Sequence, residues 1–155
     1  MRAQAREAVP PLGEVLEFLR LIWAVHHGLE KTSKKMDLQL GITGPQRLVL
    51  RIVGRFPGIP AGRLAEILHV HPSTLTGVLK RLEARGFIER RADPRDARRA
   101  SLGLTTRGRR LDVASEGTVE AAVNRAMHAA GSHRVRAAGR VLRILADTLE
   151  RGQLL

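Results

Sequence analysis

Hydroxyl and basic side chains lie close together in one short stretch near the middle of the chain. The stretch contains Ser73, Thr74, Thr76, Gly77, Lys80 and Arg81. Hydroxyls donate and accept hydrogen bonds, glycine lets another molecule approach the backbone, and the cations pair with phosphate or with a guanine edge. These residues therefore predict reversible hydrogen bonding and charge pairing with an anionic polymer.

A second group of cations follows in residues 93–99. It contains Arg95, Arg98 and Arg99. The chain has a formal net charge of +12, and the eleven basic and four acidic residues between Lys80 and Arg110 carry +7 of it. Because the charge is concentrated in one block, the predicted partner is the backbone of a nucleic acid.

Composition and motifs exclude several classes of function. The 155 residues contain no Cys and no Tyr, so disulfides, thiolate ligands and thiol nucleophiles are absent. No nucleophile elbow, HExxH motif, phosphate loop or dinucleotide-binding glycine motif occurs. The sequence therefore predicts no enzyme, no cofactor and no metal. Without an apolar run of about 20 residues we expect no membrane association, and we place the chain in the bacterial cytoplasm, at the nucleoid.

The basic groups need helices and turns to position them. Apolar residues at steps of three and four predict a long first helix after Pro11 that fades near Gly41. Thr43 and Gln46 form a capping-box pattern that predicts a second helix from about Gly44, and Pro57-Gly58 ends it. Ile59-Pro60 is an extended step into a short third helix.

The fourth helix carries the hydroxyl and basic stretch. Pro72 suits its first turn, Gly86 suits its left-handed C-terminal cap, and its inward residues are Leu75, Val78, Leu79 and Leu82. Residues 87–91 and 100–104 are predicted strands, and the charged residues 93–99 an exposed loop between them.

Two helices are predicted after this hairpin. The fifth begins at Thr105 or Thr106 and continues to about Ala130, where Gly131-Ser132 ends it. The sixth has an apolar seam with alternating steps of three and four, typical of helices that pair with each other. The seam consists of Val135, Ala138, Leu142, Leu145 and Leu149.

The order and spacing of six segments place these elements in a known context. The segments are Thr43-x-x-Gln46, Arg63-Leu64-Ala65-Glu66, Ser73-Thr74-Leu75-Thr76, Arg81-Leu82-Glu83-x-x-Gly86-Phe87-Ile88, Asp93-Pro94-Arg95-Asp96-Ala97-Arg98 and Leu104-Thr105-x-x-Gly108. Together they resemble the MarR family of bacterial winged helix-turn-helix transcription regulators. The resemblance implies a mainly α fold: a winged helix-turn-helix domain with a two-stranded β-wing, plus long N- and C-terminal dimerisation helices. The expected divisions are a disordered lead at 1–10, an N-terminal dimerisation helix at 11–42, the DNA-binding domain at 43–105 and C-terminal dimerisation helices at 106–155.

The resemblance also implies a function. The expected protein is a homodimeric repressor that binds a palindromic operator on double-stranded DNA and is released by a small aromatic or phenolic acid. Carried over by position from the family pattern, Arg98 is expected to enter the minor groove with Arg95 in support, and Asp96 is expected to orient a wing arginine. Ser73, Thr74, Thr76 and Lys80 face the major groove. The alternative function is an effector-independent architectural or constitutive DNA-binding protein.

The sequence departs from the family pattern in three ways. His71 stands where a capping Ser or Asp is common, and a protonated imidazole there would oppose the helix dipole. Gly77 replaces a larger polar residue that often reaches a base. The absence of Cys excludes the peroxide-sensing branch of the family.

Two further sites are considered on or next to the first helix. The candidate effector pocket consists of Trp23, His26, His27, Arg47 and Arg51. An arginine there would pair with a ligand carboxylate, and the equally weighted alternative is core packing and surface charge. His26, His27 and Glu30 have spacings that a metal could bridge, with His128 and His133 on the last two helices. Because His26 falls on the apolar face, packing is preferred over a metal site.

Overall fold

The computed structural model describes residues 11–152, except for the side chains of residues 97–99. The predicted lead at 1–10 lies outside the described residues. Within them the elements are α1 (Glu14–Leu40), α2 (Gly44–Arg55), β1 (Ile59–Pro60), α3 (Ala61–Leu68), α4 (Pro72–Ala84), β2 (Ile88–Asp93), β3 (Asp96–Leu104), α5 (Thr106–Leu111), α6 (Val119–Ala130) and α7 (Ser132–Gly152). No helix in this part of the chain has both the length and the apolar composition needed to span a bilayer.

The predicted capping box begins α2. The Gln46 amide donates to Thr43 Oγ1 at 3.4 Å, and the Thr43 amide donates to Gln46 Oε1 at 3.2 Å. These bonds satisfy backbone donors that the first turn of a helix leaves without partners. The prediction of a helix start near Gly44 is confirmed.

The apolar core lies between α2, α3, α4 and the sheet. Its members are all at most 7 % exposed, and they are Ile42, Val49, Leu50, Val53, Ile59, Leu64, Ala65, Leu75, Leu79, Leu82, Phe87, Ile88 and Leu102. Three of the four inward residues predicted for α4 are therefore buried, and Val78 is partly buried against the same core. The core holds α4 by one face and leaves the opposite face exposed.

The hairpin is longer than the sequence predicts. The strands β2 and β3 extend to Asp93 and from Asp96, so Pro94 and Arg95 alone form the turn. The prediction of a loop over residues 93–99 is wrong. The sequence predicts a loop because the charged residues of this segment cannot pack in a core. An antiparallel strand pair that projects into solvent is stabilised by backbone hydrogen bonds, so it can form without an apolar face.

The strand β1 adds a third member to the sheet. The strand order is β1-β3-β2, with Ile59 opposite Leu102 and Ile88 opposite Leu104. The extended step predicted at Ile59-Pro60 thus joins the base of the hairpin to the core. The hairpin is anchored at this end and projects at the other.

The predicted fifth helix is two helices. It ends at Leu111, and α6 starts only at Val119. Thr118 Oγ1 accepts from the Ala121 amide at 3.2 Å and donates to the Ser115 carbonyl at 2.7 Å, while Gly117 has a φ of 75°. This Gly-Thr pair is a left-handed turn followed by a cap, a local signal for a helix break that the prediction of one continuous fifth helix did not use.

Candidate nucleic-acid interface

The helix α4 presents the predicted hydroxyl and basic side chains on its exposed face. Ser73, Thr74, Thr76, Lys80 and Arg81 are exposed, and Gly77 is partly exposed. A Cβ at Gly77 would have no heavy atom within 4 Å, so nothing in the described chain covers this position. The first two turns of α4 therefore form an open surface that another molecule can approach closely.

The side chains on this face differ in their internal bonds. Ser73 Oγ lies 2.7 Å from His71 Nδ1, and Thr76 Oγ1 donates to the Pro72 carbonyl at 2.8 Å. The side chains of Thr74, Lys80 and Arg81 make no hydrogen bond or ion pair within the described residues. These three side chains are therefore the ones most available to a partner.

His71 caps α4 as a hydrogen-bond acceptor. Its Nδ1 accepts from the Ser73 amide at 3.2 Å. His71 thus supplies a side-chain cap at the position where Ser or Asp is common in the family pattern.

The wing carries the second group of cations. Arg95 lies in its turn with an exposed side chain, and its amide donates to Asp93 Oδ1 at 2.8 Å. The side chains of Arg98 and Arg99 lie outside the described residues. The role predicted for Asp96, an orienting carboxylate, stays a prediction.

Part of the positive charge near the wing is neutralised within the chain. Arg90 pairs with Glu83, and Arg91 pairs with Glu89. Arg107 lies over the ring of Phe87, with its guanidinium carbon 5.0 Å from the ring centroid. The net +7 of this block is unchanged, since Glu83 and Glu89 are already subtracted in it. The pairing instead makes Arg90 and Arg91 less available to a partner.

The candidate effector residues fall into two groups with different environments. The side chain of Trp23 is 75 % exposed, and His26 Nε2 lies 3.6 Å from Glu30 Oε1 on an exposed surface of α1. His27 is also exposed. No hydrogen bond or ion pair among the described residues joins these side chains to Arg47 or Arg51.

Arg47 is buried and fully bonded. Its guanidinium donates to Glu120 Oε1 at 2.7 Å, to the Leu111 carbonyl at 2.8 Å and to the Val113 carbonyl at 2.6 Å. Only 1 % of the side chain is exposed. Arg47 thus joins α2 to the end of α5, to the following segment and to the first turn of α6. This contact fits the alternative of core packing given in the sequence analysis, although its partners, 64 to 73 residues away, could not be identified from the sequence.

Arg51 lies beside Arg47 and is more accessible. Its Nη1 donates to Asp112 Oδ1 at 2.8 Å, and its side chain is 38 % exposed. Asp112 in turn lines a cavity of about 300 Å³ between the end of α2, the outer face of β3 and α5. Arg91 and Arg109 also line this cavity, which the sequence did not indicate.

The predicted seam on α7 is largely uncovered. Leu142 is 57 % and Leu149 62 % exposed, Ala138 is exposed, and Val135 and Leu145 are half-buried. Neither α6 nor α7 has a buried residue, and α1 exposes a series of large apolar side chains. The α1 series comprises Val15, Leu16, Phe18, Leu19, Leu21, Trp23, Val25 and Leu29. An apolar surface of this extent is typical of an interface with another chain.

One charged pair interrupts this surface of α1. Arg20 donates to Glu17 Oε2 at 2.8 Å. This hydrogen bond lowers the pKa of Glu17 and raises the pKa of Arg20. The pair is solvent-exposed and one turn apart, so it stabilises the helix surface without forming a site of its own.

Comparison with protein families gives one match in the same part of the chain. The model of the MarR family matches residues 42–100, which include nearly all of the core and the wing. The chain is 33 % identical over 90 residues to the HTH-type transcriptional regulator TtmR of Methylorubrum extorquens, covering 58 % of this chain and 46 % of that protein. It is 36 % identical over 83 residues to an HTH-type transcriptional repressor of Mycobacterium tuberculosis, covering 54 % of this chain and 60 % of that one. The chain thus spans about half the length of the curated relatives it matches, and these relatives are regulators rather than enzymes, as the sequence predicted.

Solved structures share the fold over a larger part of the chain. A mutant MarR from E. coli complexed with operator DNA is 30 % identical, with a TM-score of 0.59 over 63 % of this chain and 70 % of that one. The S. aureus MepR–DNA complex is 23 % identical, with a TM-score of 0.70 over 88 % of this chain and 99 % of that one. The PcaV regulator from Streptomyces coelicolor with its natural ligand is 24 % identical, with a TM-score of 0.67 over 95 % of this chain and 98 % of that one. The winged-helix architecture predicted from the sequence is confirmed.

Proposed function

This chain belongs to the MarR family, and we propose that it is a dimeric transcriptional repressor that binds a palindromic operator and leaves it when a small-molecule effector binds. The observation that carries the proposal is the open face of α4, where Thr74, Lys80 and Arg81 have no partner within the described chain. Three regulators with the same fold, among them the MarR mutant and MepR, were solved with DNA. We divide the chain as the sequence suggested, with residues 43–105 as the DNA-binding domain, and place it in the bacterial cytoplasm.

The geometry of α4 fits the major groove of double-stranded DNA. Its apolar face is fixed in the core, so its exposed first two turns project as a rigid unit. Short hydroxyl side chains near a helix N-terminus reach base edges or phosphates, and Lys80 and Arg81 follow one to two turns later. The wing extends beside α4 with Arg95 in its turn, which suits the narrow and strongly negative minor groove.

The test is a binding titration with DNA from upstream of the chain's own gene, measured by fluorescence anisotropy over a series of salt concentrations. We expect saturable binding that random competitor DNA does not displace, with one dimer per site. Replacing Arg81 or Arg95 by Ala should weaken binding roughly tenfold. Each replacement should also reduce the salt dependence by about one released ion for every phosphate that the arginine neutralised. Arg98→Ala, chosen by its position in the wing, should do the same.

Lys35→Ala is the charge-matched control because it removes one exposed positive charge from α1, an element separate from α4 and the wing. It should leave affinity within about twofold, since a charge outside the contact surface acts only through the screened overall field. Equal losses for Lys35→Ala and Arg81→Ala would mean that net charge alone drives binding. That result, or equal affinity for random DNA, would favour the architectural alternative.

The dimer is supported by the uncovered apolar side chains of α1, α6 and α7. Leu142→Glu or Leu145→Glu would place a charge in the predicted seam, where burial of an unpaired carboxylate is costly. We expect either variant to elute as a monomer in size-exclusion chromatography with light scattering. Arg140→Glu, on the opposite side of α7, should remain a dimer. A dimeric Leu142→Glu variant would show that the seam lies elsewhere.

The proposed effector is a small aromatic or phenolic acid. Arg51 suits the carboxylate better than Arg47, because its side chain is 38 % exposed whereas that of Arg47 is 1 % exposed. Trp23, His26 and His27 offer exposed rings on α1. Release of DNA by hydroxybenzoate, lost in Arg51→Met, would support this pocket. No response to any aromatic acid, with specific DNA binding intact, would favour a constitutive regulator.

A further inference from the structure

Three potential metal ligands meet where the turn before α4 approaches the C-terminal helix. One nitrogen of His69 and one carboxylate oxygen each of Asp147 and Glu150 lie within 4.8 Å of one another, at the surface of the chain. His69 ends α3 in a left-handed conformation, with a φ of 51° and a ψ of 45°. Asp147 and Glu150 are three residues apart on α7, which places both carboxylates on the same side of that helix.

The side chains of His69, Asp147 and Glu150 are available to bind a ligand. No hydrogen bond or ion pair within the described part of the chain involves any of them. Glu30 lies near His26 and Asp93 accepts from the Arg95 amide, and eight other carboxylates of the described residues pair with an arginine. Those paired in this way are Glu17, Asp37, Glu66, Glu83, Glu89, Asp112, Glu116 and Glu120. The Arg151 side chain donates to the main-chain carbonyl of Asp147 at 3.2 Å rather than to its carboxylate. The two neighbouring carboxylates repel each other, and a bound cation would relieve that repulsion.

The distances between the three ligand atoms fit a shared metal ion better than direct hydrogen bonds or ion pairs among the side chains. A hydrogen bond or ion pair would bring two of the three groups within about 3.5–4 Å, and none is present. Ligands at about 2.0–2.2 Å from one zinc ion lie up to roughly 4 Å apart. A small rotation of these surface side chains therefore brings the three ligand atoms to coordination distance.

We propose that His69, Asp147 and Glu150 form a binding site for a divalent transition metal of the zinc class. Imidazole favours zinc over magnesium or calcium, which prefer sites made of oxygen ligands, and carboxylates commonly complete zinc sites. Three protein ligands leave a position for water. The site is separate from the histidines considered in the sequence, His26, His27, His128 and His133, and it differs from the sequence prediction of no metal.

Bound metal would connect two parts of the chain that are far apart in sequence. It would hold the turn between α3 and α4 against α7, and so restrict the orientation of α4 relative to the proposed dimer helices. The consequence for DNA binding rests on the proposed function. The binding of metal does not, and it is measured without DNA.

The test is a titration of the metal-free full chain with Zn²⁺ against a chromogenic chelator, with Co²⁺ as a second probe because its absorption reports coordination. We expect one Zn²⁺ per chain and a rise in the melting temperature when Zn²⁺ is added. His69→Asn keeps the left-handed turn, since Asn tolerates that conformation, but removes the imidazole. His69→Asn, Asp147→Asn and Glu150→Gln should each weaken Zn²⁺ binding by roughly tenfold or more.

His133→Asn is the matched control, because it removes an exposed histidine at the start of α7 that is not in the cluster. It should bind Zn²⁺ within about twofold of the natural chain. Circular dichroism before the titration checks that each variant is folded. The proposal is overturned if His69→Asn binds Zn²⁺ as tightly as the natural chain, if His133→Asn loses binding, or if Co²⁺ gives no ligand-field absorption with the natural chain.

Discussion

Replacing Arg47 by Met tests whether this arginine is structural or belongs to an effector pocket. Methionine retains an unbranched stem in the buried site but removes all three described hydrogen bonds of the guanidinium. The two carbonyls, Leu111 and Val113, and the Glu120 carboxylate would lose their donor. Because the side chain of Arg47 is 1 % exposed, water cannot replace the guanidinium without local opening.

The expected loss of stability follows from these bonds. Hydrogen bonds that involve a charged group contribute about 1.5–3 kcal/mol each. The three bonds of Arg47 together therefore set an upper limit well above about 4 kcal/mol on the loss of unfolding free energy. The side chain of Glu120 is 38 % exposed and can be hydrated again, and the two loop carbonyls can turn partly toward solvent. With this discount we expect Arg47→Met to lower the free energy of unfolding by about 3–4 kcal/mol, in the range found when one partner of a buried ion pair is removed.

Arg51→Met is the matched control, since it removes a neighbouring arginine on the same helix. Its side chain is 38 % exposed and its partner Asp112 is 23 % exposed, so we expect a loss below about 1 kcal/mol. The measurement is urea unfolding followed by circular dichroism at a fixed protomer concentration, because association would make stability depend on concentration. A loss below about 1 kcal/mol for Arg47→Met, or equal losses for the two variants, would refute the structural role.

Three further substitutions and one control test local features of the fold, each by thermal or urea unfolding. Gly108→Ala would place a Cβ against the Phe87 carbonyl oxygen, far inside van der Waals distance, so we expect more than about 2 kcal/mol of destabilisation. Gly62→Ala, where a Cβ meets nothing within 4 Å, should instead be neutral or stabilising by up to about 1 kcal/mol. Thr118→Ala removes the cap of α6 and should cost about 1 kcal/mol, and an unchanged stability would contradict the break between α5 and α6. His71→Asp should retain a cap and add a favourable dipole interaction, raising stability by up to about 1 kcal/mol; a loss would contradict the acceptor role of the ring.

Local signals in the sequence predicted most of the DNA-binding part of the fold. The capping box of Thr43 and Gln46, the apolar spacing in α4 and the left-handed Gly86 all act within a few residues. Such signals do not depend on the rest of the chain, because the groups that form the bonds are neighbours in sequence. Thr118 is the exception, since a local glycine and cap were present there but were not used to divide the predicted fifth helix.

The exposed hairpin shows a different limit. Its strands extend through charged residues because backbone pairing, not burial, stabilises them, and side-chain polarity carries no information about such pairing. The pairing of Ile59 with Leu102 was likewise invisible, since each residue is compatible with many partners. Only the register of the folded sheet selects one of them.

The sequence by itself determined the class of molecule: a basic, cysteine-free chain with a helix-turn-helix, a wing and apolar terminal helices. Tertiary structure alone decided which side chains meet. It directed Arg47 to Glu120, leaving Arg51 as the more accessible of the two arginines, and it brought His69 close to Asp147 and Glu150. The physical reason is that helix caps and periodicity depend on neighbours a few residues apart, whereas these contacts join groups 73 or more residues apart that only the folded core holds together.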